Sequence, residues 1–366
     1  MTLTASDRAP AKRKNQRTAV IDADIHPHAM PPSISSRLAE PWRTRFERFG
    51  TRVPAPPLIY PRVRNGGMRL DAWPQHGAPG SDLGMMRGQL LDEYDLDHGI
   101  LIPLQSHTYG AEEPEFAQAL CRALNEWIRE EWLDPEPRLR GSICVPHESP
   151  ELAAREIRRY ANDRRFVQVL LPSGAETGLG RAKYDPLYAA AVDAGLPLAI
   201  HLGGIENHHG DGWPSFYLEQ HAWYGNMMAL MVTNLISEGV FERFPSLQVI
   251  LVEGGISWAG PLMWAMDDAA ELLRDDVPGL RRRPSEYFRE HFWFTTQPIE
   301  EPDKPEHLVA ALEHTGVTDR IMFASDYPHW DFDSPAIALR GLPKRLRDPI
   351  MAGNARRLYG LDGGTP

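Results

Sequence analysis

The stretch of this sequence best suited to metal chemistry is IDADIHPH, which ends the first apolar run of the chain. Asp24 and His26 stand two residues apart, so they lie on the same side of a strand. At this spacing a carboxylate oxygen and an imidazole nitrogen from adjacent pleats can coordinate one ion together. The same alternation gives one face of the strand to Asp22, Asp24, His26 and His28.

Three further apolar runs end in a charged or titratable residue. PLAIH ends in His201, LQVILVE in Glu253, and RIMFASD in Asp326, with His329 three residues on. One strand-end histidine is most often structural, but burying several carboxylates and imidazoles together without a cation is costly. Oxygen and nitrogen ligands without thiolate suit Zn²⁺, Mn²⁺ or Fe²⁺. The pattern therefore predicts a divalent metal site.

The elements that must bring these residues together alternate along the chain. Eight strand-like runs start near residues 18, 99, 141, 166, 197, 247, 291 and 320, with helix-like segments between them. Most of the runs are continuously apolar, as in parallel strands buried on both faces. They predict one closed (β/α)8 barrel, whose active site lies at the carboxyl ends of the strands. An open doubly wound sheet is the alternative, but no G-x-G-x-x-G follows the first strand.

The segments before and after the first strand set the expected domain organisation. Residues 1–17 carry basic side chains but no apolar signal-peptide core, so we expect a mobile tail before a barrel domain over 18–366. Residues 27–82, rich in Pro, Gly and Arg, are interpreted as a long insertion that covers the mouth. The arginines of this lid most able to reach a substrate carboxylate are Arg62, Arg64 and Arg69.

Composition excludes several classes of protein. The 366 residues carry 39 basic and 50 acidic side chains, a net charge of -11 that argues against a nucleic-acid binder. No run of eighteen apolar residues predicts a membrane span. The 2 cysteines, Cys121 and Cys144, sit in apolar runs, as expected of core residues in a reducing compartment. We expect a cytoplasmic protein that acts on a small molecule and forms a homo-oligomer, a dimer.

Four motifs resemble the amidohydrolase superfamily: IDADIHPH, AIHLGG, VEGGISWAGPLMWAMD and MFASDYPHWD, spread from about Thr18 to Tyr359. The sequence is most similar to the amidohydrolase-related branch that includes aminocarboxymuconate-semialdehyde decarboxylase, resorcylate-type decarboxylases and some hydrolases. The resemblance implies a distorted (β/α)8 barrel that binds one divalent metal, with zinc expected ahead of manganese or iron. The ligands that it implies are Asp24, His26, His201 and Asp326.

One position departs from that resemblance. Many decarboxylases of the branch carry His-Gly-Gly after strand six, whereas this chain has Glu253-Gly254-Gly255. Glu253 is a candidate base, a partner that orients His201, or a structural carboxylate. Further candidates for lining the mouth are His147, His208, His209, His221, Trp223 and Tyr224.

These observations lead to a main hypothesis and two alternatives. The main one is a metal-dependent hydrolase that uses a metal-activated water, with Asp326, Glu253 and His329 as catalytic residues. The alternative is non-oxidative decarboxylation of an aromatic or unsaturated acid, in which an acid protonates the carbon that loses CO₂. A non-catalytic binding protein is the third, disfavoured by the four candidate ligands.

Overall fold

The structure is a computed structural model that describes residues 19–51, 62–204 and 214–361. Within them, eight strands form one parallel sheet in the order β1 to β8. Each strand lies where an apolar run of the sequence predicts one. Their bounds are β1 Ile21–Ile25, β2 His98–Leu101, β3 Leu139–Cys144, β4 Phe166–Gly174, β5 Leu198–Gly204, β6 Val249–Val252, β7 Phe292–Thr295 and β8 Ile321–Met322.

Helices follow the strands around the outside. Three of them continue into π-type turns over 87–91, 128–133 and 349–353. The α-helices are α1 Pro31–Ser35, α2 Trp42–Phe49, α3 Leu83–Met86, α4 Gln105–Tyr109, α5 Pro114–Trp127, α6 Pro150–Tyr160, α7 Asp185–Ala194, α8 Tyr217–Ser237, α9 Val240–Arg243, α10 Ala259–Leu272, α11 Pro284–His291, α12 Pro305–Thr315, α13 Lys344–Asp348 and α14 Asn354–Tyr359.

Backbone hydrogen bonds between the first and last strands close the barrel. The amide of Ala23 donates to Phe323 O at 2.9 Å, and the amide of His26 donates to Tyr327 O at 2.8 Å. Further up, the amide of Asp326 donates to Asp24 O at 3.2 Å. The (β/α)8 prediction is therefore confirmed, and the closure brings the two ends of the sequence together at the mouth.

The strands alternate between two apolar environments, as their sequences require. In β5, Leu198 and Ile200 pack in the large outer core, whereas Ala199 joins a cluster drawn from strands all around the sheet. Side chains from opposite strands can meet only inside the barrel, so that cluster is its interior. His201 is two residues beyond Ala199 and lies above this interior on the same face.

The chain between β1 and β2 is divided into several short elements. It forms α1, α2 and α3, with short 3-10 turns over 64–67 and 70–72. Part of it lies against the end of β8, because Met68 pairs with His329 and the amide of Arg69 donates to Pro328 O at 3.0 Å.

Several expectations about the chain as a whole stay predictions. The bounds 27–82 of the insertion are one of them, and residues 52–61 lie outside the described residues. The expected tail over 1–17 also lies outside them, so the division into tail and barrel domain remains open to test. No helix in the described part of the chain is long and apolar enough to cross a membrane.

Candidate active site

The end of β1 presents Asp24 and His26 toward the mouth. His26 Nδ1 lies 2.8 Å from Ile102 O and donates to it, because a carbonyl oxygen can only accept. The other ring nitrogen, Nε2, then faces the site, 3.2 Å from Asp24 Oδ1 and 2.8 Å from Asp326 Oδ1. Both residues of this predicted pair are therefore buried with their polar atoms directed at one point.

His201 reaches the same point from β5. Its Nδ1 donates to Leu202 O at 2.7 Å, so Nε2 is again the nitrogen that faces the site. That Nε2 lies 2.9 Å from Glu253 Oε2 and 3.9 Å from Asp24 Oδ2. Burial works against charge on this imidazole, but the Glu253 and Asp24 carboxylates raise the pKa of His201 to about 9.

Asp326 and His329 approach from the chain that follows β8. Asp326 has a positive φ of 59° and bonds through Oδ1 to His329 Nδ1. Burial opposes charge on both groups, yet the pairing holds the pKa of Asp326 below its usual range and raises that of His329 to about 9. An imidazolium and a carboxylate thus share a proton beside the candidate metal ligands.

The donor set fits a cation. The atoms Asp24 Oδ1 and Oδ2, His26 Nε2, His201 Nε2 and Asp326 Oδ2 are buried, and among the described residues none has a partner with hydrogen-bond geometry, although Asp326 Oδ1 and Glu253 Oε2 lie close to the two imidazole nitrogens. The candidate ligand atoms of Asp24, His26 and His201 lie within 4.8 Å of one another, as do those of His26, Asp326 and His329. Because both ligand imidazoles already donate through Nδ1, their neutral forms offer only lone pairs at Nε2. A divalent metal site is therefore supported at the mouth.

Asp22 supports the site from below. Its Oδ1 accepts from the amide of Asp24 at 3.2 Å and from the amide of Ser325 at 2.9 Å. The residue is fully buried, and burial raises the pKa of Asp22 to about 7, although the bonds from Ser325 oppose the rise. Asp22 ties β1 to the loop that carries Asp326 and thereby fixes the spacing of the two.

Two further histidines extend the row of imidazoles. His107, on α4, was not singled out by its sequence; its ring centroid lies 5.5 Å from that of His201. His147, considered for pocket lining, is buried beyond β3, 3.8 Å from Glu148 through Nε2. Burial lowers the pKa of His107 well below its usual value and that of His147 to about 4. Both rings are therefore neutral at the working pH of most enzymes.

The remaining candidates fall in different places. His208 and His209 lie outside the described residues. His221 is at the mouth on α8, in ring contact with Tyr224, whereas Trp223 is exposed. A groove of about 610 Å³ beside them is lined by Arg62, Val63, Arg64, Asn65, Met68, Arg69, Leu70, Asp71, Tyr217 and Trp330.

Gly203 shows how tightly this region is built. It has a φ of 124°, and a Cβ there would lie 2.6 Å from His107 Nδ1. We expect Gly203→Ala to lower the free energy of unfolding by about 2–3 kcal/mol through strain and overlap. The matched change Gly195→Ala, at a φ of 66° with nothing within 4 Å, should cost only about 1 kcal/mol. Equal losses in denaturant titrations would contradict a clash with His107.

A comparison with known protein families identifies the chain. The Amidohydrolase family matches residues 21–361, from the first strand to the last helix. The chain belongs to this family. As an amidohydrolase-family enzyme it has the expected barrel, and the resemblance carried by its four motifs is confirmed.

Several curated relatives of this family member are decarboxylases. A gamma-resorcylate decarboxylase of Polaromonas sp. is 24% identical over 308 residues, which are 79% of this chain and 91% of the relative. A solved dihydroxybenzoic acid decarboxylase of Polaromonas sp., with bound manganese and 2-nitroresorcinol, has a TM-score of 0.65 at 21% identity and covers 95% of this chain and 98% of its own. The solved 5-carboxyvanillate decarboxylase of Sphingomonas paucimobilis has a TM-score of 0.67 at 21% identity. The match covers 94% of this chain and 99% of that decarboxylase.

These findings correct the main functional hypothesis. A hydrolase acting through an activated water was expected, and this prediction is wrong, because the curated relatives that share most of the barrel are decarboxylases. The error has a physical origin. Hydrolysis and decarboxylation use the same buried oxygen and nitrogen ligands, and they differ in what the metal holds and where the proton goes.

Proposed function

We propose that this protein is a metal-dependent, non-oxidative decarboxylase of hydroxylated aromatic acids. The observation that carries the proposal is the hydrogen-bonded pair of Asp326 and His329 beside the buried candidate ligand atoms of Asp24, His26 and His201. In the reaction the bond between the ring carbon and the carboxylate breaks, CO₂ leaves, and the ring carbon takes a proton. A decarboxylase of this kind needs an acid next to its metal, and this pair is one.

Asp24, His26, His201 and Asp326 would hold the metal, with manganese favoured over zinc. Support for manganese comes from the bound ion of the solved Polaromonas decarboxylase. A divalent ion held here would supply Lewis-acid attraction for the negative oxygens of the substrate. The site is almost closed to water, since all four side chains are at most 5% exposed, which strengthens every charge interaction within it.

The proton would come from the Asp326–His329 pair. His329 is charged at neutral pH, because its pKa is raised to about 9 by Asp326 although burial opposes this. As negative charge builds on the ring carbon, the one proton that the pair shares can pass to it through Asp326, which leaves Asp326 ionised and His329 neutral. His26, packed 4.8 Å from His329 between ring centroids, limits the movement of the donor.

Glu253 would act at the metal-facing side of His201. A partner that merely orients a ligand histidine binds its other nitrogen. Here that nitrogen, Nδ1, bonds to Leu202 O, and Glu253 Oε2 faces Nε2 instead. We therefore assign Glu253 to the substrate side, as the base that takes a phenolic proton from the bound acid, in the position where related decarboxylases carry histidine.

Release of CO₂ tests this function. We expect the manganese-loaded protein to convert gamma-resorcylate or a related hydroxybenzoate to the corresponding phenol with equimolar CO₂. The reaction in D₂O should place one deuterium on the carbon that carried the carboxylate. Turnover of aryl esters, lactones or amides without CO₂ release from any hydroxybenzoate would contradict the proposal.

A further inference from the structure

A second histidine–carboxylate pair lies at the mouth, outside the metal centre. His221 on α8 places Nε2 2.8 Å from Asp331 Oδ2, although the two residues are 110 positions apart. Gln297, just after β7, donates through Nε2 to the carbonyl of Asp331 at 3.1 Å. Bonds from two other parts of the barrel therefore fix the position of Asp331, and Asp331 fixes one edge of the imidazole.

Aromatic rings hold the plane of this imidazole. Its centroid lies 5.8 Å from that of Tyr217, 5.2 Å from that of Tyr224 and 5.8 Å from that of Trp330. Trp330 Nε1 donates to the Tyr217 hydroxyl at 3.4 Å, which joins two of the three rings. Tyr217 and Trp330 also line the groove of about 610 Å³, so His221 stands beside a space of the size that small ligands occupy.

The imidazole of His221 has a second hydrogen-bond donor that is available to a ligand. The bond to Asp331 raises the pKa of His221 above its usual value, and the charges of Glu253 and Asp326 act in the same direction against the effect of burial. In the protonated ring both nitrogens donate. Nε2 is committed to Asp331, whereas Nδ1 makes no hydrogen bond to any residue in the described ranges. The side chain is 27% exposed and so open to a ligand.

We propose that His221 determines substrate specificity by donating through Nδ1 to an oxygen acceptor on the aromatic ring, away from the carboxylate at the metal centre. The inference rests on the proposed function and names the substrate class more closely. The ligand is an aromatic acid that carries a distal hydroxyl, methoxy or second carboxylate. Asp331 is the positioning residue, and Trp330 and Tyr217 flank the ring of the ligand.

Two substitutions of His221 distinguish a contact with the ligand from a purely structural role. His221→Gln keeps a donor near Nε2 for Asp331 and removes the one at Nδ1. His221→Asn keeps a donor near Nδ1. The control is His314→Gln, because His314 is an exposed histidine of α12 that likewise packs against a tryptophan, 5.7 Å from Trp264 between centroids. The probes are salicylate and its derivatives with a hydroxyl, methoxy or carboxyl group at ring carbon 4 or ring carbon 5, counted from the carbon that bears the carboxylate.

The measurements are Kd by calorimetry on manganese-loaded protein, kcat and KM for CO₂ release, and Tm. We expect the wild-type protein and His314→Gln to bind at least one derivative about 10-fold or more tighter than salicylate. In His221→Gln the ratio of the Kd for salicylate to the Kd for that derivative should fall to about 1 with Tm unchanged. For turnover of the derivative, the loss should appear in KM rather than kcat. His221→Asn should retain part of the ratio.

The other outcomes contradict either the role of His221 or the proposed decarboxylase activity. A ratio that persists in His221→Gln, or an equal loss of affinity for salicylate and every derivative, refutes recognition by Nδ1. A wild-type protein without preference among the probes, or one that binds none of them, also refutes it. If the probes bind with the expected ratio but no CO₂ is released, the decarboxylase proposal fails while the assignment of His221 stands.

Discussion

Asp326→Asn is expected to reduce kcat for decarboxylation by about 10²–10⁴-fold or more while the barrel stays folded. The amide is close to the carboxylate in shape, but it cannot carry the proton that His329 shares with Asp326. It also replaces one of the charged candidate ligands of the metal. Both effects act on the same step, so this is the largest loss that we expect from one substitution.

The matched comparison is Glu253→Gln. If Glu253 only takes a phenolic proton, this change should cost about 10–100-fold, and less for a substrate that already binds as the phenolate. Asp319→Asn, a change at an exposed carboxylate far from the mouth, controls for loss of an acidic group. A larger loss for Glu253→Gln than for Asp326→Asn, with unchanged Tm in both, would reverse the roles assigned to the two residues.

Removal of the metal is expected to abolish turnover and to lower Tm by about 5 °C. The ligands come from strands at the two ends and the middle of the chain, so an ion that binds only the folded barrel stabilises it by mass action, by about 2.7 kcal/mol at 100 times Kd. Elemental analysis should find about one divalent ion per chain before chelation. Added Mn²⁺ should restore both activity and Tm.

The control for this experiment is a protein that cannot bind the metal. Asp24→Asn should have a low Tm before chelation and show no further change, because it removes one of the buried carboxylates without altering the strand. His314→Gln should respond to chelation as the wild type does. A Tm that is the same with and without chelator in all three proteins would show that no ion ties the strands together.

The sequence predicts the barrel well because its signal is local. Each strand is a short apolar run, and the strand-end rule picks out Asp24, His26, His201 and Asp326 without knowledge of their contacts. The structure brings these four together as expected. That they bind the metal remains a prediction for the experiments above.

What the sequence could not show depends on contacts between distant residues. His107 lies in a short helix after β2, so neither alternation nor a strand end marks it, and its ring fits against β5 where Gly203 has no side chain. The pairing of His221 with Asp331 spans two elements of the barrel wall. The reaction itself was missed, because the ligand set is common to hydrolases and decarboxylases of one superfamily.

The bond between Asp22 and the amide of Ser325 joins positions 303 residues apart, which has a consequence for biosynthesis. A ribosome that adds about 5–20 residues per second completes this loop roughly 15–60 s after it has made β1. During that interval Asp24 and His26 exist on a nascent chain that lacks Asp326. A metal that needs Asp326 would therefore be inserted only once that residue has been made, and a chain that terminates before β8 would form no centre.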